Sequence, residues 1–290
     1  MQILGFCRFS YFGISDTGRA IATEEDAQRV LYAPDRMATR FHLFEHLTAP
    51  SIRHQTDTDF RFIVVTSALM PEPYRARLQR IVAAVPQMEL LVTDNRELAK
   101  VLSPVIRQAA AETGAPTLNF RLDDDDAVAV DYVARLRAVA TQLTPPALIS
   151  FPKGFLLFSD GVSKFGRTFR EYVAIGLARL NPVEDARDPF RIQHRQEAQR
   201  IPSYLDPRPF AYIYGTHPHN NTRVGDPEGG LIARYLRNHP EMAGVTSTAT
   251  DDAALAGAFP YLAADRLKAI HAALATCRFD VDAALPAALV

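Results

Sequence analysis

Thr117-Leu118-Asn119-Phe120-Arg121-Leu122 runs straight into Asp123-Asp124-Asp125-Asp126, and this stretch decides how the whole chain is read. Its first six residues are short and mostly apolar, as a buried strand would be. Four successive carboxylates raise one another's pKa unless a cation neutralises them. The run therefore predicts a divalent metal at a strand end. Carboxylate oxygens suit a hard ion, Mn²⁺ or Mg²⁺, whereas Zn²⁺ more usually recruits Cys or several His. Alternate side chains of a strand share a side, so Asp123 and Asp125 are expected to face one ion, with Asp124 and Asp126 supporting it or touching substrate. The competing reading is an acidic turn before a helix that starts near Val128, with Asp126 as its cap.

Working outward, residues 2–9, 60–66 and 88–93 are further short apolar runs rich in Ile, Val, Leu or Phe. Amphipathic stretches separate them. Tyr74, Leu78, Ile81, Val82 and Val85 share a helical face, and Ser103-Pro104 followed by Gly114 reads as N-cap, first-turn proline and C-terminal glycine. A helix over 128–143 presents Tyr132, Val133, Leu136, Val139 and Leu143 to the sheet. This alternation predicts an α/β fold, a three-layer sandwich around a mostly parallel sheet. Ligands of such sheets bind outside the carboxyl ends of the strands, where the aspartates, Arg8 to Tyr11 and Thr66-Ser67 all fall. Beyond Pro145-Pro146, the runs 147–151 and 155–158 flank Pro152-Lys153-Gly154 and suggest a β-hairpin. Residues 210–214 read as one more strand. From about 227 to 290 the pattern is helical, with Leu267, Ile270 and Leu274 as a stripe. The expected division is a catalytic domain over 1–225 and a helical extension over 226–290 packed on it.

The composition is that of an ordinary globular protein. Of 290 residues, 48% are hydrophobic and 22% charged, which argues against disorder. Thirty-two basic and 33 acidic residues leave a net charge of -1, no general field for collecting nucleic acid. The N-terminus has no basic leader or cleavage site, and no apolar window reaches transmembrane length, so a soluble, cytoplasmic protein is expected. Cys7 and Cys277 read as ordinary reduced side chains.

Other groups carry candidate chemistry. Gly215-Thr216-His217-Pro218-His219-Asn220-Asn221 follows a strand-like run, and a neutral imidazole, His217 first and His219 second, could complete a carboxylate-bound metal site; the alternative is a polar turn with solvated histidines. Glu184-Asp185 and Glu197 are candidates for a general base, against the reading that they pair with Arg187, Arg191 and Arg195 on the surface. Asp160 is a weaker candidate. Arg8 and Arg121 could bind phosphate or offset the acidic run. P-loop, dinucleotide-binding, zinc-peptidase and serine-hydrolase signatures are all missing.

With these residues in view, Arg121-Leu122-Asp123-Asp124-Asp125-Asp126 resembles the D-x-D region of GT-A fold glycosyltransferases. More narrowly, Gly5-Phe6-Cys7-Arg8-Phe9-Ser10, Gln55-Thr56-Asp57-Thr58-Asp59-Phe60 and Phe62-Ile63-Val64-Val65 are similar to the bacterial proteins named putative rhamnosyltransferases. The similarity extends to about Asn221. It implies Asp123 and Asp125 as the D-x-D pair holding Mn²⁺ or Mg²⁺, Asp126 as the extra aspartate that often follows, and His217 as the downstream metal-completing histidine. It implies donor contacts from Arg8, Ser10, Arg121, Asp123, Asp124 and Asp126, and a base such as Asp185 or Glu197, although the closeness of Glu184-Asp185 to the aspartates departs from the family pattern.

The expectation is therefore a metal-dependent glycosyltransferase that moves a sugar, rhamnose by the resemblance, from a nucleotide diphosphate sugar to a hydroxyl of a glycan or lipid-linked acceptor. A lipid-linked acceptor would bring it to the inner face of the membrane. Two alternatives stay open: a nucleotidyltransferase that forms sugar nucleotides, and a non-catalytic glycan-binding protein with a structural cation.

Overall fold

The computed structural model describes residues 1–14, 21–192, 194–217, 219–220, 230–242 and 244–290. In chain order the elements are β1 Ile3–Arg8, α1 Glu24–Val30, α2 Pro34–Leu43, a π-helical turn Phe44–Thr48, α3 Ala49–Arg53, β2 Arg61–Ser67, α4 Glu72–Ala83, β3 Met88–Thr93, α5 Leu98–Thr113 and β4 Thr117–Arg121. Then follow β5 Ala127–Val128, α6 Tyr132–Ala140, β6 Ala147–Ser150, β7 Lys153–Ser159, β8 Ser163–Phe169, β9 Ala178–Asn181, α7 Arg195–Ala198, β10 Ser203–Leu205, β11 Tyr212–Gly215, α8 Leu231–Asn238, α9 Ala249–Ala258 and α10 Ala264–Ala272. No described helix is long and apolar enough to cross a membrane.

The α/β class with a mostly parallel central sheet is what the chain adopts. Seven strands lie in the order β10-β6-β9-β4-β1-β2-β3, and β9 alone runs against the rest. Successive residues of β1 serve opposite faces: Leu4 and Phe6 pack with Leu98, Leu102 and Ile106 of α5, while Ile3 and Cys7 belong to the core shared with α2, α4 and α6. A second sheet, β5-β11-β7-β8, packs through Phe155, Leu157 and Phe165 against Leu255 of α9, Phe259 just after it, and Leu267 and Ile270 of α10. The C-terminal stripe expected from the sequence is thus a packing face.

Three local expectations need correction. The helix containing Pro104 begins six residues earlier, at Leu98, because Leu98, Leu102, Ile106 and Ala109 form one buried stripe that outweighs the missing proline N–H. Its end is as expected: Gly114 at φ 62° donates its N–H to the Ala110 carbonyl. The helix expected from Val128 starts at Tyr132, since Ala127 and Val128 pair with β11 instead. Finally, the runs on either side of Pro152-Lys153-Gly154 do not form a hairpin with each other. β6 joins the seven-stranded sheet, β7 joins the second sheet, and β7 makes its hairpin with β8. The strand foreseen over 210–214 forms as Tyr212–Gly215, between β5 and β7.

Candidate active site

The aspartate run leaves β4 and links the two sheets. The strand ends at Arg121, and Asp124 and Asp125 occupy a turn, so the side-to-side alternation of a strand no longer applies. Each carboxylate takes a different partner. Asp123 pairs with Arg121 at 3.2 Å. Asp124 Oδ1 and Asp125 Oδ2 both accept from Arg40 Nη1, at 2.5 and 3.0 Å. Asp126 Oδ1 accepts from the N–H of Gly215 at 3.0 Å, so it ties the turn to β11 and caps no helix. The cation that balances the run is therefore Arg40, delivered by α2.

The histidine segment meets this turn. His219 N–H donates to His217 Nδ1 at 3.1 Å, which leaves the imidazole proton on Nε2, and Nε2–H donates to Asp125 Oδ2 at 2.9 Å. Burial keeps His217 neutral by lowering its pKa, against the opposing pull of Asp125. Asn220 Nδ2 donates to the same oxygen at 3.0 Å. Asp125 Oδ2 thus collects three donors. Burial works against a charge there, yet Arg40 and His217 hold Asp125 down at about 2.

This geometry tests the metal expectation. Both ring nitrogens of His217 are engaged, Asp123 turns to Arg121, and a guanidinium nitrogen lies where an ion would bridge Asp124 and Asp125. Among the described residues no three His, Cys, Asp or Glu side chains converge as a metal site. The set as arranged does not fit Mn²⁺ or Mg²⁺; an ion would first have to displace Arg40. His219 stands apart, its ring 6.3 Å from that of His217 and its backbone carbonyl accepting from Arg40 at 3.4 Å.

The strand ends nearby complete the rim. Arg8 and Arg121 both stack over the Phe190 ring, at 4.5 and 4.8 Å from its centroid. Ser10, at φ 45°, accepts from Arg36 Nη1 at 2.9 Å. Thr66 donates to the Phe9 carbonyl and Ser67 accepts from the Phe12 N–H, so the end of β2 braces the segment after β1.

The base candidates lie in a different network. Asp185 accepts from Arg179 at 2.8 Å and from the Arg187 N–H at 2.9 Å; Glu197 accepts from Arg187 at 2.8 Å and is 1% exposed. Glu197, so enclosed, braces the fold, and an acceptor hydroxyl cannot reach it without opening that network; Asp185 keeps a third of its side chain exposed. Glu184 is exposed, and Asp160 pairs with Lys164. The site residues that the sequence reading passed over are Arg36 and Arg40, and Gly215 and Asn220 were noted within the histidine segment without a role. The available signal was Arg36 and Arg40 four apart in a segment with Met37, Phe41 and Leu43 on its apolar side.

The acidic turn sets a pH dependence. Burial pushes Asp124 up to about 6, although Arg40 pulls the other way. A raised carboxyl favours the folded state below its ordinary value of 3.8, and that contribution fades as pH rises through about 6. A rise of this size corresponds to about 3 kcal/mol. Urea unfolding of the wild type should lose stability from this source between about pH 4 and about pH 7, and Asp124→Asn should flatten that decline. Identical pH profiles for the two proteins would sink the assignment.

The family model described as putative rhamnosyl transferase matches residues 2–228, which include both sheets, the aspartate turn and His217. The chain belongs to this family. Its mostly parallel seven-stranded sheet is the α/β architecture that the GT-A resemblance implies. Among solved structures, it is similar to S. aureus TarS 1–349 in complex with UDP, at 9% identity and TM-score 0.44 over 75% of this chain and 61% of that one. A second S. aureus TarS structure gives 12% and 0.43 over 75% and 37%, and a 4-diphosphocytidyl-2C-methyl-D-erythritol synthase 11% and 0.32 over 83% and 98%. The chain thus spans 61% and 37% of the two TarS chains. No curated protein is a match.

Proposed function

We propose that this family member transfers a sugar, rhamnose by the family's description, from a nucleoside diphosphate sugar to a hydroxyl of a glycan or lipid-linked acceptor. The observation that carries this reading is the family match over residues 2–228. The geometry supports it, because the aspartate turn follows β4 beside the end of β1, the rim where open α/β sheets take their ligands.

The residues divide the work by accessibility. Asp123, with a third of its side chain exposed, is placed to accept hydroxyls of the donor. Asp125 is buried and held by Arg40, His217 and Asn220, so it fixes the turn and the imidazole. Arg8 and Arg121 bring positive charge to the same rim, where charge on a departing diphosphate would be stabilised. A divalent ion would supply the same stabilisation, and it enters this reading only as a competitor of Arg40 for Asp125.

A panel of nucleoside diphosphate sugars, each with and without Mn²⁺, tests the reading through thermal stabilisation and slow donor hydrolysis. One donor should stabilise the wild type, and Asp125→Asn should lower its turnover by about a hundredfold or more while the protein stays folded. Unchanged turnover in Asp125→Asn would remove the aspartate from the site. Release of pyrophosphate from a nucleoside triphosphate and a sugar phosphate would identify a nucleotidyltransferase instead, and a folded protein inert to every donor would be a binding protein.

A further inference from the structure

Arg36 holds a charge that no direct ion pair among the described residues compensates. Its Nη1 donates to Ser10 Oγ at 2.9 Å and to the Leu31 carbonyl at 2.6 Å, both neutral oxygens, and it makes no ion pair among the described residues. One helical turn further along α2, Arg40 is spent on Asp124 and Asp125. Half-buried guanidinium without a counter-ion is costly, and an arriving oxyanion removes that cost. The Arg36 environment shows the strain: burial, with Arg40 adding like-charge repulsion, drops its pKa to about 10. The groups that act on it are Ser10 through its hydrogen bond, Arg40 as a like charge, and Asp124, Asp125 and Tyr32 in the opposite sense, while burial and the two arginines lower the pKa of His219.

Backbone strain marks the same spot. Ser10 is a non-glycine residue at φ 45°, just past the end of β1, and its side chain rather than a glycine fills the position. That placement turns Oγ toward Arg36 and fixes the guanidinium at the rim of the sheet. A planar fork with free N–H groups is suited to two oxygens of one phosphate.

We infer that Arg36, seated by Ser10 and set beside the Arg40–aspartate pair, binds the diphosphate of the nucleotide donor, so that guanidinium charge from α2 takes the part expected of a divalent ion. Resting on the transferase reading above, this gives Arg40 and Arg36 separate tasks. Arg40 neutralises the protein's own carboxylates, which would otherwise repel the ligand, and Arg36 meets the ligand's phosphates.

Calorimetric titration of the full chain with uridine, guanosine and thymidine diphosphates, in EDTA and in excess Mn²⁺, tests the inference. One diphosphate should bind in EDTA with an affinity within a few fold of that in Mn²⁺. Arg36→Gln should weaken it by about ten- to a hundredfold, Arg36→Lys should recover part of the loss, and the corresponding nucleoside without phosphates should be insensitive to either change. Circular dichroism and the urea midpoint establish that the variants are folded. Should Arg36→Gln fail to fold, competition of inorganic pyrophosphate with the nucleotide in EDTA reads the same site in the wild type. Binding that appears only with Mn²⁺ and ignores Arg36 would overturn the inference and leave the transferase reading standing. Folded wild type that binds no diphosphate in either medium would overturn the transferase reading, and this inference with it.

Discussion

Arg40→Met is expected to destabilise the protein by about 3–5 kcal/mol, the cost of leaving buried carboxylates without their cation. Arg40 is 5% exposed, and Asp124, Asp125 and Asp126 are 3%, 4% and 2% exposed. Methionine keeps much of the packing volume and removes the charge, so the loss is electrostatic and not a cavity effect. Asp124 Oδ2 already has no hydrogen-bond partner, which leaves this carboxylate with little to fall back on. Two further results should accompany the loss. Stability of Arg40→Met should rise as pH falls toward about 5, because protonation then neutralises the unpaired carboxyls. Adding Asp124→Asn should restore part of it, a non-additivity that a double-mutant cycle isolates. Equilibrium unfolding in urea measures all three. A loss under about 1 kcal/mol would show that the turn opens to water instead of relying on Arg40.

That pairing also shows what the sequence could and could not disclose. β1, β2 and β4 are legible because each is a short apolar run buried on both faces, the edge strand β3 because its run is apolar and short, and α4 because its stripe has helical spacing. The segment 147–158 is not legible in the same way. β6 and β7 are adjacent in the chain, but their partners are β9 and β10 for one and β8 and β11 for the other, and no local pattern announces that two neighbouring strands part into different sheets. Similarly, four adjacent carboxylates announce a need for positive charge without naming its source. A metal is the simplest supplier when only neighbours in sequence are considered. The actual supplier lies 84 residues away from Asp124, on a helix for which the sequence reading assigned no role. His217 was found because its segment is dense in ligand-type residues, but its role changed once both ring nitrogens proved to be occupied.

Gly215→Ala should disable the site from its opposite side. Gly215 ends β11, donates its N–H to Asp126, and lies so close to the aspartate turn that a Cβ would stand 2.2 Å from the Asp125 carbonyl oxygen. Backbone occupies that space, so no side-chain rotation can relieve the clash. Either β11 or the turn must move, and the turn carries the carboxylate oxygen shared by Arg40, His217 and Asn220. Overpacking of this kind costs about 1–3 kcal/mol. The larger effect should be on ligand binding, because a shift of the turn misplaces Asp125 and the imidazole together. Gly114→Ala is the matched control: it also stands at a glycine with a special requirement, φ 62° at the end of α5, but a Cβ there meets nothing within 4 Å. It should lose about 1 kcal/mol through backbone strain and bind nucleotide as the wild type does. Urea unfolding and diphosphate titration on the three proteins separate the cases. If Gly215→Ala matches the control in binding, the contact between β11 and the aspartate turn does not set the geometry of the site.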